Sequence, residues 1–122
     1  RPAASPDGRH LAVSVPSEGH PGVRVFTLPG GDAVSPLVRN ATSPRWSPDG
    51  AWVAFSMYRF GPLRMMRPDG SDLHAVGTTS FGEWFDWTAD GRWLIGNTQS
   101  GVALVRVADG VVRPLDWALG MW

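Results

Sequence analysis

Three histidines, eleven carboxylates and a scatter of hydroxyls are the side chains here that could carry catalysis. His10, His20 and His74 lie too far apart, without the paired spacing that presents two imidazoles to one metal ion. Gly96-Asn97-Thr98-Gln99-Ser100-Gly101 does not place its serine between glycines as a nucleophile elbow requires. No glycine-rich loop opens a helix that could cradle phosphate. The chain has no cysteine, which excludes disulfides, thiolate zinc sites and a catalytic thiol. Eleven arginines balance the eleven acids, so nothing favours a nucleic acid or an anionic membrane surface as partner. Pro, Gly, Asp or Arg interrupts every apolar run before it could insert in a membrane as a helix. The expectation is a non-enzymatic protein without metal or cofactor.

What remains is aromatic, cationic and turn-forming chemistry, and it is periodic. Ser5-Pro6-Asp7-Gly8 recurs as Ser47-Pro48-Asp49-Gly50 and as Thr88-Ala89-Asp90-Gly91, at steps of 42 and 41 residues. Asp-Gly between alternating apolar runs marks a tight turn, because Gly accepts the positive φ and Asp bonds nearby main chain. So Asp7, Asp49 and Asp90, with Gly8, Gly50 and Gly91, read as turn formers and not as paired catalytic acids. A second turn signal follows in each unit, at Pro29–Asp32, Pro68–Ser71 and Ala108–Gly110. The second unit should hold strands near 43–46, 51–57, 62–67 and 72–77, and the third near 83–87, 92–98, 101–107 and 111–115. The first unit shows strands near 9–15, 22–28 and 33–38, with only Arg1–Ala4 where its first strand should stand. Four-stranded antiparallel units of about 40 residues are blades of a β-propeller. The predicted fold is therefore all-β, with three blades over 1–41, 42–82 and 83–117. Residues 118–122 form a spare first strand ending in Trp122.

Trp46-Ser47-Pro48-Asp49-Gly50-Ala51-Trp52-Val53-Ala54-Phe55-Ser56 resembles the blade signature of TolB-type propellers, a WD-like repeat family. Leu63 to Leu73 is similar to that family's next hairpin, and the likeness covers nearly the whole chain in three copies. The motif is structural, so it speaks for the repeat more than for an activity. Unit one departs from it with Ala4 where the others have Trp46 and Trp87, and unit three has Thr88-Ala89 for Ser-Pro. The resemblance implies rings of six or seven blades, work through partner proteins, and a periplasmic or other envelope location. The family also includes propeller domains of prolyl-oligopeptidase-type enzymes.

Three blades fall short of the four to eight that close a ring, since each would fill about 120°. The outer blades would then expose apolar faces. One expectation is a homodimer closing a six-bladed ring, with 118–122 of one copy completing the blade at 9–15 of the other. The alternatives are an accessory propeller or fragment of a larger hydrolase or envelope protein, or an excised or engineered repeat set.

Inner strands of a propeller line its channel, and the loops opposite the Asp-Gly turns are the more varied ones. This places Arg45, Glu83, Trp84 and Asp86 at the channel and Tyr58, Arg59 and Phe60 on a loop of the same end. Arg45 and Asp86 occupy equivalent positions, as an ion pair or as polar anchors for a ligand. Trp84 breaks the repeat pattern, and Tyr58-Arg59-Phe60 carries residue types enriched at interface hot spots. A protein or peptide is the expected partner.

Overall fold

A computed structural model describes residues 2–17, 20–57, 61–82 and 84–115. The twelve strands are β1 (Ala3–Ala4), β2 (His10–Ser17), β3 (His20–Thr27) and β4 (Val38–Arg39); β5 (Ala41–Trp46), β6 (Val53–Met57), β7 (Pro62–Met66) and β8 (His74–Ser80); β9 (Phe85–Trp87), β10 (Trp93–Thr98), β11 (Gly101–Arg106) and β12 (Val112–Pro114). They form three four-stranded antiparallel sheets, each in chain order, and the described residues hold no helix.

The repeated tetrapeptide builds the same turn three times. Ser5 Oγ donates to Asp7 Oδ1 at 2.6 Å, the Arg9 amide donates to that same oxygen at 3.0 Å, and Gly8 takes φ 73°. Ser47, Asp49 and the Ala51 amide repeat this at 2.6 and 3.0 Å, with Gly50 at 73°. Thr88 keeps the hydroxyl, bonding Asp90 at 2.7 Å, so the departure from serine costs the turn nothing chemically. In the first two turns each carboxylate is held below its usual range, first by the hydroxyl and then by the amide; for Asp90 the Arg92 amide leads.

The first and last strands of the first sheet differ from expectation. Ala3 and Ala4 do form a strand, pairing with Ala12 and Leu11. The place beside β2 is therefore not vacant for a spare strand, as the sequence suggested. Instead of a continuous strand over 33–38, there is a lone Ala33–Phe26 bridge followed by Val38–Arg39. The reason lies at Ser35-Pro36. The Val25 amide bonds Ser35 Oγ at 2.9 Å in place of a main-chain acceptor, and proline offers no ladder donor. In the second sheet β8 runs later than 72–77, with Gly77 at φ 67° and a register shift opposite Pro62–Arg64.

Packing occurs between sheets. Ala12, Val23 and Val25 meet Trp46, Val53, Phe55 and Met66 at one seam. Ala54, Leu63, Met65 and Val76 meet Phe81, Phe85, Trp87, Leu94 and Val105 at the other. The middle sheet is thus buried on both faces, and β6 is apolar at Val53, Ala54 and Phe55 in succession. Positions equivalent to its buried residues are only half-covered on the outer sheets: Leu11, Val13 and Phe26 on one side, Ile95 and Leu104 on the other.

Two equivalent bonds cross these seams. Trp46 Nε1 donates to the main-chain oxygen of Ala3 at 2.7 Å, and Trp87 Nε1 to that of Arg45 at 3.0 Å. Each tryptophan buries its ring in the core and ties its own first strand to the one before. At the outer edge Gly77 meets Gly110 so closely that a Cβ on Gly110 would lie 2.6 Å from the Gly77 Cα.

Replacing Trp87 by Phe leaves a smaller aromatic ring in the core and the Arg45 carbonyl without its donor. A loss of about 1–3 kcal/mol in urea unfolding is expected; a change under about 0.5 kcal/mol would refute the cross-seam bond as a stabilising contact. The turn carboxylates generate a second expectation. Their folded pKa values lie below the ordinary 3.8, with Asp109 at about 2 through Arg106 and then the Val111 amide. Their contribution is present above pH 3.8 and is lost as pH falls through the folded values, so the melting temperature should drop between about pH 4 and pH 2. Ser47→Ala should lower it at pH 7 and make less difference at pH 2; an equal difference at both would remove Asp49 from the account.

Candidate functional site

The first strands of neighbouring sheets touch, β1 with β5 and β5 with β9. Side chains just ahead of each anchoring tryptophan are thereby brought to one region. Arg45 lies one residue before Trp46. Its Nη1 donates to the Pro44 carbonyl at 3.0 Å, and its guanidinium carbon stands 5.9 Å from the centre of the Phe85 ring across the seam. Asp86 is exposed, and its Oδ1 accepts the Trp87 amide at 2.8 Å. Trp84 is 58% exposed, the most open of the large apolar side chains among the described residues. Its main chain is nonetheless fixed: its carbonyl accepts the Asn97 amide at 3.1 Å, while the Asn97 carbonyl accepts from Gly82 at 2.9 Å.

The expected Arg45–Asp86 ion pair does not form. Among the described residues the ion pairs are Arg67–Asp72 at 3.5 Å and Arg106–Asp109 at 2.7 Å, both exposed and both within last-hairpin turns. Arg45 is turned onto Phe85 instead, which leaves the Asp86 carboxylate open to solvent. Tyr58, Arg59, Phe60 and Glu83 lie outside the described residues, as do Asp116, Trp117 and the strand expected over 118–122. Asp7, Asp49 and Asp90 serve their turns. Among the described residues no three His, Asp or Glu side chains gather as metal ligands.

The sequence reading passed over the clefts at the turn end of each seam. One of about 590 Å³ lies between the first and second sheets, with His10, Arg67, Asp69 and Asp72 on its walls. Another of about 420 Å³ lies between the second and third, walled by Trp52, Trp87, Asp49, Asp90 and Val107. Trp93 stands opposite Arg106 in the ladder, and Trp52 and Arg67 adjoin the Val53–Met66 pair; the guanidinium carbons of Arg67 and Arg106 lie 3.9 and 5.6 Å from the Trp52 and Trp93 indole centres. Arg113 approaches Trp93 as well, at 5.2 Å.

No family model matches the chain. An uncharacterised protein of Agrobacterium fabrum is 36% identical over 44 residues, which is 34% of this chain and 15% of that protein. Among solved structures, TolB from Acinetobacter baumannii superposes with a TM-score of 0.65 at 20% identity, over 92% of this chain and 31% of that one. The β-propeller domain of the Trilobed protease from Pyrococcus furiosus gives 0.62 at 16% identity, over 86% of this chain and 37% of that one. The fold is that of a β-propeller, and the three sheets are its blades. The chain spans about a third of these propeller structures and less of its curated relative.

Since Asp86 has no cationic partner among the described residues, Asp86→Asn should leave the melting temperature within about 1 °C of the parent. A drop of several degrees, abolished in an Arg45→Met background, would restore the ion pair.

Proposed function

We propose that the chain is a non-enzymatic binding propeller of TolB-like type that recognises a protein or peptide segment at the channel mouth. The observation that carries this is Trp84, an open indole on a fixed main chain. The next two residues are Phe85, with the Arg45 guanidinium 5.9 Å from its ring centre, and Asp86, whose side chain is exposed. An open indole on a bonded main chain, with a cation and an anion contributed by nearby first-strand residues, suits a peptide, whose side chain stacks while its charged or amide groups are bonded. Tyr58, Arg59, Phe60 and Glu83 belong to the same reading on sequence grounds. The proposal includes a six-bladed ring assembled with a second copy, supported by the half-covered apolar positions on both outer blades. An envelope location rests on the likeness to TolB alone. The likeness to a protease's propeller domain favours a second reading, an accessory domain that admits or docks substrate for a hydrolase.

Peptides selected from a displayed random library on the immobilised protein test the site. Trp84→Ala should weaken them at least tenfold, equivalent to about 1.4 kcal/mol, with an unchanged melting temperature. Selected peptides that bind Trp84→Ala and Arg45→Ala as well as the parent would move recognition elsewhere.

A further inference from the structure

Five aspartates stand directly before a glycine: Asp7, Asp49, Asp69, Asp90 and Asp109. That pair is chemically labile, because glycine has no side chain to hinder its own nitrogen. When the glycine nitrogen loses its proton it attacks the aspartate Cγ, water leaves from the carboxyl, and a cyclic imide forms. Water then opens the ring at one carbonyl or the other. The product is aspartate again or isoaspartate, whose main chain runs through Cβ.

Each of these pairs sits in a turn that occupies the reacting atoms. The glycine amide is the nucleophile, and it is a donor every time. Gly8, Gly50 and Gly91 donate to the carbonyls of Ser5, Ser47 and Thr88 at 2.9 Å, Gly70 to that of Arg67 at 2.8 Å and Gly110 to that of Arg106 at 2.7 Å. The carboxylate is tied as well. One oxygen of each accepts the amide two residues on, at 2.9–3.1 Å. The same oxygen accepts a hydroxyl, or at Asp109 the Arg106 guanidinium. Closing the imide ring has to turn the Asp-Gly peptide out of these bonds. The carboxyls also lie below their ordinary range, with the Ser71 hydroxyl leading at Asp69 as Ser5 does at Asp7. An ionised carboxylate has no hydroxyl to shed as water. Two of the glycines lack room to shift. A Cβ on Gly70 would lie 2.7 Å from the Pro36 Cδ and one on Gly110 2.6 Å from the Gly77 Cα, both across seams, whereas Gly8 has nothing within 4 Å.

We propose that the Asp-Gly turns are latent isoaspartate sites, closed by the fold and opened by unfolding, and that isomerisation of Asp69 or Asp109 keeps the seams from closing again. The unfolded chain is then a substrate for an enzyme that methylates isoaspartyl carboxyls, and the folded chain is not.

The full chain is aged at pH 7 in buffer and in urea above its unfolding midpoint, and isoaspartate is located by fragmenting proteolytic peptides. All five positions should gain it in urea, and each at least about tenfold more slowly in buffer. Similar rates in the two would overturn the protection. Ser71 is exposed and its hydroxyl bonds Asp69, so Ser71→Ala tests one turn with little else disturbed. It should raise the rate in buffer at Asp69 about fivefold, the worth of one hydrogen bond, and Ser71→Thr should not. Ser47→Ala repeats the test at Asp49. A rise at every position together would assign the protection to global stability and remove the turns from the account. Chains aged in urea are finally refolded and passed over a sizing column. Those isomerised at Asp69 or Asp109 should be missing from the folded fraction, and those isomerised at Asp7 should return. Equal recovery would remove the effect on the seams.

Discussion

A single indole N–H, given across each seam to the preceding first strand, sets the geometry that the rest of this molecule follows. Trp46 and Trp87 do two things at once: the ring fills the wedge between blades, and the nitrogen fixes how far one blade is rotated against the next. The acceptor is main chain, so the preceding side chain is free to vary. That freedom is visible in Ala3 and Arg45, which stand at equivalent places and share nothing but their carbonyls. Packing and variation are thereby separated within one strand, with the tryptophan buried at the seam and the residue before it free to change.

Much of this architecture was legible because turn chemistry is local. Ser or Thr, then Asp, then Gly specify a closed set of bonds within six residues, and those bonds recur with almost the same lengths in all three blades. The alternation that followed each turn located the central strands equally well. The outer strands were harder to read. Ser35 replaces a ladder acceptor with its own hydroxyl, which no hydropathy pattern reveals, and Gly77 shifts the register of β8. These strands have one neighbour each and tolerate such irregularity.

The candidate site was legible only in part, for a related reason. Position in the repeat located Arg45 and Asp86 on first strands, by counting back from the tryptophans, whereas Trp84 falls just ahead of β9 and not within it. Their mutual geometry does not follow from counting. Opposite charges at equivalent positions suggested a pair, yet Phe85 offers the guanidinium a closer apolar surface and the Pro44 carbonyl takes its hydrogen bond. The clefts at the turn end depend on how two blades converge, a tertiary property that no single strand encodes.

The close approach of Gly77 and Gly110 also bears on curvature. Blades in a propeller diverge outward like the staves of a fan, and the gap between their outer edges determines how many complete a turn. Two main chains touching with no side chain between them draw those edges together as far as atoms allow, and at the other seam the Pro36 ring closes on Gly70, which offers no side chain of its own. A narrower gap means a smaller angle per blade, and a smaller angle means more blades in the circle. The number of units such a repeat needs is thus set at its periphery, by the side chains missing there, as much as by the tryptophans at its centre.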